Sequence, residues 1–332
     1  MKVTVFGAGA WGTTMAQVLV DAGNDVVMWG RNQAVVAEIN THHTNKSYLE
    51  KAELPEALRA TSQLEEAFSF SDFYVLAIPA QNLRSMLMEW RPLISSDSTV
   101  VSTLKGIEVA TQMRMSEIIT EILQVKRVAI VTGPNLADEL IIRQPAGAVA
   151  AAESQELAEL VQRTFRTHYY RVYTSTDLLG CELAGTFKNI IALAVGVSIG
   201  MGFGENTQAM LITRGLNEVA RLCAAHGADP LSAAGLAGMG DLVASCGSPL
   251  SRNRSFGEVL GREGSMAKAR IAIPKTVEGV ASAAAVLEIA HRVGIEVPLI
   301  EAVADMVAET ITPEQAFRRL MEITTKAETF IR

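Results

Sequence analysis

The 332-residue sequence predicts an α/β protein with two domains, a doubly wound parallel sheet followed by an all-helical domain. In the first half, short β-rich runs alternate with amphipathic helical stretches, which is the pattern of a parallel sheet covered by helices. After about residue 178 this pattern stops, and apolar residues recur at helical spacing. The chain is also longer than a domain with a single hydrophobic core usually is. We therefore predict one domain at residues 1–178 and a second at residues 179–332.

Seven strands are predicted along the first domain. They are Val3–Phe6, Asp25–Trp29, Phe73–Ile78, Thr99–Thr103, Val128–Val131, Gly147–Ala150 and Tyr170–Thr174. Of the helices between them, Trp11–Ala22 is closed by Gly23 as a C-terminal cap. The helix Ser62–Phe68 is predicted to begin with Ser62 and Glu65 as a capping box.

The second domain is predicted to consist of helices. The apolar spacing places them at Asn189–Gly204, Leu211–Ala225, Val280–Val293, Leu299–Thr310 and Pro313–Thr324. The first of these carries no charge, but it is shorter than a bilayer span and rich in glycine. We therefore interpret it as a buried core helix.

Composition and charge exclude several classes of protein. Hydrophobic residues make up 49% of the chain and charged residues 20%, which is typical of compact soluble proteins. The net charge of −7 argues against nucleic acid or an anionic membrane as a general partner, because both need a basic face. Glycines interrupt the apolar run Val3–Val20, which argues against a signal peptide or a spanning helix and predicts a cytoplasmic protein.

The cysteines and histidines give no pattern for a disulfide framework or a metal site. Cys181, Cys223 and Cys246 are odd in number and widely spaced, so we predict buried free thiols. The histidines form no HExxH motif and no cluster with cysteine, so no metal is expected.

The sequence GAGAWG at Gly7–Gly12 matches the dinucleotide-binding pattern GxGxxG, between a predicted strand and a predicted helix. In that context Gly7 makes the tight turn, Gly9 lets the backbone approach a pyrophosphate, and Gly12 lets the helix pack on the strand. The helix N-terminus, at Ala10 and Trp11, then faces the phosphates. The motif predicts a Rossmann-type domain that binds a dinucleotide.

The end of the second predicted strand bears on which dinucleotide is bound. NAD-binding domains place an Asp or Glu there for the ribose, but the sequence reads VVMWGRN, with Gly30 and Arg31. An arginine without an acid suits a 2′-phosphate, so NADP(H) is favoured. NAD(H) stays open, since Arg31 can equally stack on adenine or lie in solvent.

Polar residues follow two further strands of the predicted sheet. In open parallel sheets, ligands bind beyond the carboxyl ends of the strands. Lys105 follows the strand at Thr99–Thr103, and Gly133 and Asn135 follow the strand at Val128–Val131. Beside a cofactor, the Lys105 ammonium can hold a substrate oxygen.

The helical half carries three more polar groups. Lys188 directly precedes the uncharged helix, and a buried lysine is costly unless it has partners or a function. Asp241 lies in a glycine-rich turn. The row Ser251–Arg254 either starts a helix or binds a phosphate through hydroxyl, guanidinium and amide donors.

Together these segments resemble the bacterial-type NAD(P)-dependent glycerol-3-phosphate dehydrogenases. The similarity runs along essentially the whole chain, through GAGAWG, TLKGIE, TGPN, GTFKNIIALAVG, MGFGENTQAMLITRGLNE and GLAGMGDLVASCGSPLSRNRSFG, in the family's order. It implies a Rossmann domain followed by a helical substrate-binding domain like that of 6-phosphogluconate dehydrogenase. It also implies a homodimer that interconverts dihydroxyacetone phosphate and sn-glycerol 3-phosphate, supplying phospholipid synthesis.

The resemblance implies residue roles, position by position. Lys188 in GTFKN matches the general base, and Lys105 in TLKG matches a residue that contacts substrate and nicotinamide. Substrate-binding positions are Lys105, Gly133, Asn135, Lys188, Asp241, Ser251, Arg252 and Asn253, the last three around the phosphate. Cofactor-binding positions are Gly7, Gly9, Ala10, Trp11, Gly12, Arg31, Tyr48, Lys105, Ala137, Arg252 and Glu278. Tyr48 and Ala137 have no independent signal, and Asn135 stands where many bacterial members have serine.

Two other functions stay open from the residues alone. Another two-domain NADP-dependent hydroxyacid or ketopantoate-type reductase would share the fold, but its substrate lacks a phosphate, and the row Ser251–Arg254 argues against it. A non-catalytic NADP-sensing module has no need of both Lys105 and Lys188.

Overall fold

The computed structural model describes residues 1–322, which form two compact units. The first unit comprises residues 1–105 and 113–178. The second comprises residues 106–112 and, within the described part of the chain, residues 179–322. Residues 106–112 belong to the second unit because Ile107 is fully buried in its apolar core. A short piece of the first half of the sequence is therefore built into the helical unit.

The first unit is organised around one eight-stranded sheet with the order β3-β2-β1-β4-β5-β6-β7-β8. The strands are β1 (Lys2–Phe6), β2 (Asp25–Trp29), β3 (Arg59–Thr61), β4 (Phe73–Leu76), β5 (Thr99–Ser102), β6 (Arg127–Thr132), β7 (Ala146–Ala152) and β8 (Tyr170–Ser175). All seven predicted strands are present, and β3 is an additional edge strand. Apolar residues pack on both faces of the sheet, as the doubly wound prediction requires.

One strand pair departs from the predicted parallel sheet. Strands β6 and β7 pair antiparallel, whereas the other neighbours pair parallel. The connection between them holds only the short helix Ala137–Leu140. It does not include a long crossover helix that would return the chain to the other end of the sheet.

The sheet is covered by helices that largely match the sequence pattern. They are α1 (Ala10–Asp21), α2 (Gln33–His42), α3 (Leu64–Phe70), α4 (Leu83–Trp90), α5 (Met115–Leu123), α6 (Ala137–Leu140) and α7 (Gln155–Phe165). Gly23 follows α1 with φ +85°, as predicted for a C-terminal cap. The predicted capping box of Ser62 and Glu65 is wrong, because α3 begins at Leu64 and the Gln63 N–H donates to the Thr61 hydroxyl.

The second unit consists of helices in the described residues. They are α8 (Leu178–Gly200), α9 (Glu205–Ala225), α10 (Asp241–Gly247), α11 (Arg252–Glu263), α12 (Met266–Ala272), α13 (Glu278–Arg292), α14 (Pro298–Val307) and α15 (Pro313–Glu322). Helix α8 is the predicted core helix, but it starts earlier and ends at Gly200, before Gly202 with φ +84°. The last predicted helical residues, 323 and 324, lie outside the described part of the chain.

Helix α8 is long and apolar enough to span a membrane, but it forms the centre of the second unit. Its most apolar window is 89% buried inside the protein. Lys188 and Glu182 lie within it and are themselves buried. The prediction started this helix at Asn189, where the uncharged run begins, but the two buried charged residues belong to the same helix. Cys181, Cys223 and Cys246 are buried free thiols, as predicted.

Helices α8 and α11 pack with their backbones in contact. A Cβ added at Gly196 would lie 2.0 Å from a backbone oxygen of α11, and one added at Gly257 would lie 2.1 Å from a backbone oxygen of α8. Gly200 and Gly261 make the same contact one turn further along. Because no side chain separates the helices, the start of α11 is held at a fixed distance from Lys188 in α8.

Candidate functional site

The turn between β1 and α1 has the backbone that the glycine pattern predicts. Gly7 has φ +121°, and a Cβ there would lie 2.3 Å from the Ala77 carbonyl oxygen. At Gly12 a Cβ would lie 1.9 Å from the Gly7 oxygen. At Gly9, by contrast, a Cβ would meet no atom within 4 Å. Two glycines are thus required by packing, and the third leaves open space beside the backbone, as a bound pyrophosphate needs.

The N-terminus of α1 also fits an anionic ligand. Gly9 is the N-cap residue, and the first turn contains no acidic side chain. Ala10 and Trp11 lie in this turn, and both are half-buried. The N–H groups and the positive end of the helix dipole at the start of α1 therefore favour a phosphate, and no acidic side chain in the first turn opposes it.

The end of β2 has a similar character. Arg31 is exposed directly after Gly30, and the first turn of α2 contains no acidic residue. Asn32 caps that helix by accepting a hydrogen bond from the Ala34 N–H. Tyr48, in the segment after α2, is 49% exposed. The exposed Arg31 therefore has no carboxylate beside it in the first turn of α2.

Lys105 and the loop after β6 come together in the first unit. The Lys105 ammonium donates a hydrogen bond of 2.9 Å to the Gly133 carbonyl oxygen. Gly133 has φ +146°, and a Cβ there would lie 2.9 Å from the Gly147 oxygen. The amide nitrogen and oxygen of Asn135 are shielded from solvent, with no hydrogen-bond partner among residues 1–322. Ala137 begins α6 nearby and is half-buried.

Lys188 forms the central polar cluster of the second unit. Its ammonium lies 2.9 Å from Asp241 Oδ1 and donates to Ser245 Oγ at 2.7 Å. The Ser245 hydroxyl in turn donates to Asp241 Oδ1 at 3.3 Å. The Lys188 and Asp241 side chains are only 10% and 3% exposed. An ammonium has three N–H donors, so this arrangement orients two of them and leaves the third for another acceptor.

Ser245 was missed by the sequence analysis. It lies one turn after Asp241 in α10, so both side chains project from the same helix face. That spacing was the available signal, although serines at this spacing are common. Burial raises the pKa of the neighbouring Cys246 thiol to about 12, so this thiol stays neutral beside the ion pair.

The row Ser251–Arg254 forms the start of α11, which was the structural alternative predicted for it. Ser251 is the N-cap and accepts from the Arg254 N–H. The exposed Arg252 guanidinium donates to the Thr276 carbonyl oxygen at 2.8 Å. Several of its donors remain for an anion held at the helix start.

Asn253 ties the start of α11 to two other helices. Its amide nitrogen donates to Asn189 Oδ1 at 2.9 Å, and its amide oxygen accepts from the Gly279 N–H at 2.8 Å. Asn189, next to Lys188, is a further polar residue of this contact that its position at the start of a predicted helix did not indicate. Glu278 precedes Gly279, and burial raises the pKa of its carboxyl, an effect that nearby Arg252 partly offsets. The predicted residues at 251, 252, 253 and 278 are therefore brought together in one cluster.

Within residues 1–322 no group of three or more Cys, His, Asp and Glu side chains is arranged to hold a metal. The polar groups described above instead suit a dinucleotide and a small anion. They include an open glycine turn, two lysines and a helix start rich in donors.

The similarity to known proteins covers both units. Residues 2–158 match the N-terminal domain, and residues 177–318 the C-terminal domain, of NAD-dependent glycerol-3-phosphate dehydrogenase. The chain is 47% identical over 330 residues to the NAD(P)+ glycerol-3-phosphate dehydrogenase of Streptomyces coelicolor, covering 99% of this chain and 98% of that protein. This chain belongs to the NAD-dependent glycerol-3-phosphate dehydrogenase family.

Solved structures agree with this membership. The crystal structure of glycerol-3-phosphate dehydrogenase from Coxiella burnetii has a TM-score of 0.91 at 32% identity, covering 97% of this chain and 98% of that chain. A ketopantoate reductase from Ralstonia eutropha has a TM-score of only 0.60 at 18% identity, with 96% and 100% coverage, and shares the fold alone. The family membership confirms the predicted fold, the oxidoreductase class and NAD(P) as the cofactor type.

Proposed function

We propose that this protein catalyses sn-glycerol 3-phosphate + NAD(P)+ ⇌ dihydroxyacetone phosphate + NAD(P)H + H+. The observation that carries the proposal is the buried Lys188, oriented by Asp241 and Ser245, in a chain of the glycerol-3-phosphate dehydrogenase family. A lysine in this setting has the two features that a proton-transfer group needs, a fixed direction and shelter from water.

Lys188 is the proposed general acid and base. In the reducing direction its ammonium donates a proton to the C2 oxygen of dihydroxyacetone phosphate, and in the oxidising direction the neutral amine accepts the C2 hydroxyl proton. The bound nicotinamide supplies or accepts the hydride. Asp241 and Ser245 accept two of the ammonium N–H groups, so the direction of the third N–H, which would donate to the substrate oxygen, is fixed.

The substrate phosphate is proposed to bind at the start of α11. Ser251, Arg252 and Asn253 supply hydroxyl, guanidinium and amide groups there, next to the positive end of a helix dipole. Lys105, Gly133 and Asn135 are proposed to contact the rest of the substrate. The shielded amide of Asn135 supports its role, because a ligand would supply the missing partners.

The cofactor is proposed to bind along the glycine turn of the first unit. The contacts are Gly7, Gly9, Ala10, Trp11, Gly12, Arg31, Tyr48, Lys105, Ala137, Arg252 and Glu278. NADP(H) is proposed as the preferred form, supported by the exposed Arg31 and by the absence of an acid in the first turn of α2.

The test is oxidation of NADPH and of NADH followed at 340 nm with dihydroxyacetone phosphate, and with 2-ketoacids for comparison. We expect turnover with the phosphorylated triose and none with the 2-ketoacids. Lys188→Ala should abolish turnover but still bind NADPH, whereas Lys268→Ala, at an exposed lysine, should match the wild type. Normal kcat in Lys188→Ala would refute the base assignment, and NADPH binding without any turnover in the wild type would indicate a sensing module.

We also propose that the protein is a cytoplasmic homodimer, as the resemblance to the family implies. Size-exclusion chromatography with light scattering should give twice the chain mass. Fractionation of the producing cells should place the protein in the soluble fraction, consistent with the burial of α8 inside the second unit.

A further inference from the structure

Asn45 is a buried polar residue next to the glycine turn, and the function proposed above does not use it. It lies after α2 and is 0% exposed. Its amide nitrogen donates to the Ala8 carbonyl oxygen at 3.1 Å and to the Thr13 hydroxyl at 2.8 Å. Ala8 is the residue between Gly7 and Gly9, and Thr13 is in the first part of α1. One side chain therefore joins the turn to the helix that follows it.

The bond to Ala8 fixes the direction of the next N–H group. In a trans peptide the carbonyl and the N–H point in opposite directions. Because the Ala8 carbonyl points toward Asn45, the Gly9 N–H points away from it. Within residues 1–322 the Gly9 N–H donates to no backbone acceptor. It borders the open space at Gly9, where a Cβ would meet no atom within 4 Å.

The same residue also holds the segment that contains Tyr48. The Tyr48 and Leu49 N–H groups donate to the Asn45 carbonyl oxygen at 3.1 Å and 2.8 Å. The turn thus formed leaves Tyr48 49% exposed. Asn45 therefore fixes two of the elements that the proposed cofactor site uses.

Stability alone does not explain an asparagine here. Its Oδ1 is shielded from solvent and has no hydrogen-bond partner among the described residues. An unpaired buried acceptor is destabilising. Rotating the amide would place Oδ1 against the Ala8 oxygen, so the observed orientation is the one that the donor bonds select. An apolar residue would avoid this cost but would release the Ala8 carbonyl.

We propose that Asn45 is a positioning residue for the dinucleotide: it holds the Ala8 carbonyl so that the Gly9 N–H faces the pyrophosphate. The inference rests on the proposed function only in taking the glycine turn as the cofactor site. If the Ala8 peptide rotates, its carbonyl dipole instead of an N–H turns toward a negatively charged ligand, and binding weakens.

The test measures the dissociation constant of NADPH by quenching of protein fluorescence. Asn45→Ala should raise it about tenfold, the effect of losing one well-aligned charged hydrogen bond. Asn45→Asp keeps the shape but sets a carboxylate against the Ala8 oxygen, so it should bind NADPH more weakly still. ADP binding should weaken in parallel, whereas the KM for dihydroxyacetone phosphate at saturating NADPH should stay within about twofold.

Asn40→Ala is the matched control. Asn40 donates to the Ala60 oxygen and accepts from the Ala60 N–H, both at 2.8 Å, and so joins α2 to β3 without touching the glycine turn. It should lower the thermal midpoint but leave the NADPH dissociation constant unchanged. If Asn40→Ala and Asn45→Ala weaken NADPH binding equally, Asn45 is merely structural and the inference is overturned.

A second variant covers the case in which Asn45→Ala does not fold. Thr13→Val keeps the side-chain volume but removes one of the two acceptors that anchor Asn45. It should raise the NADPH dissociation constant about threefold, and an unchanged constant would count against the inference. A wild type that binds no NADPH would instead refute the proposed function, which keeps the two failures distinguishable.

Discussion

Replacing Lys188 by methionine should cost a large part of the stability of the protein. The Lys188 ammonium and the Asp241 carboxylate are 2.9 Å apart, and their side chains are 10% and 3% exposed. Removing one member of such a buried pair leaves an uncompensated charge and costs about 3–5 kcal/mol. Since whole domains are stable by only about 5–15 kcal/mol, Lys188→Met should remove about a fifth or more of that margin.

A pair with the same separation on the surface is the control. Lys268 and Glu263 are also 2.9 Å apart, but the Lys268 side chain is 62% exposed. Water and salt screen this pair, so Lys268→Met should change the stability little. Urea unfolding followed by far-UV circular dichroism measures both variants, with equal m-values as the check that the unfolded states are comparable.

The double variant Lys188→Met/Asp241→Leu separates stability from chemistry. With both charges gone, no buried ion lacks a partner, so the urea midpoint should return toward that of the wild type. Turnover should not return, because the proposed proton-transfer group is still missing. The reasoning is refuted if Lys188→Met costs no more than Lys268→Met, or if the double variant is less stable than Lys188→Met alone.

Three further predictions test other parts of the structure. Gly257→Ala should destabilise the protein by about 1–3 kcal/mol, because its Cβ would lie 2.1 Å from the Leu193 oxygen. Gly247→Ala is the control: its Cβ would meet no atom within 4 Å, so it should stabilise α10 by up to about 1 kcal/mol. Urea unfolding measures both variants. Arg31→Asp should shift the ratio of kcat/KM values toward NADH, and an unchanged ratio would contradict a 2′-phosphate contact. Burial raises the pKa of Glu218 to about 7, with two backbone N–H groups opposing the shift. The folded state therefore binds the extra proton, stability should fall as the pH rises from about 4.5 to 7, and Glu218→Gln should remove that slope.

Local signals predicted most of the sheet and the glycine turn. The β-rich runs gave all seven strands, since parallel strands buried on both faces read as continuous apolar segments. The turn was predictable because Gly7 needs a positive φ and Gly12 lies against the Gly7 oxygen, although the Ala77 oxygen that approaches Gly7 is distant in sequence. In each case, neighbouring residues carry most of the physical constraint.

Features set by distant pairing were not predictable in the same way. Strand β3 is only three residues long and is defined by its register with β2. The antiparallel β7 has the same apolar pattern that a parallel strand would have. Ser245 and Asn45 are an ordinary serine and asparagine until the fold brings them to Lys188 and Ala8. Residue propensity and sequence spacing do not indicate which distant residues will form hydrogen bonds in the folded protein.

The two units fix their polar groups by different physical means, and this sets where specificity can change. In the first unit, backbone groups of the glycine turn are proposed to bind the cofactor, and the close contacts at Gly7 and Gly12 allow few substitutions there. We therefore expect cofactor preference to be set by side chains at the border of the turn, such as Arg31. In the second unit, the backbone contact between α8 and α11 fixes the helices, and the groups proposed to bind the substrate are side chains at the start of α11. If the proposed phosphate site is correct, substrate preference can change through Ser251, Arg252 and Asn253 while the helix crossing, and with it the position of Lys188, stays the same.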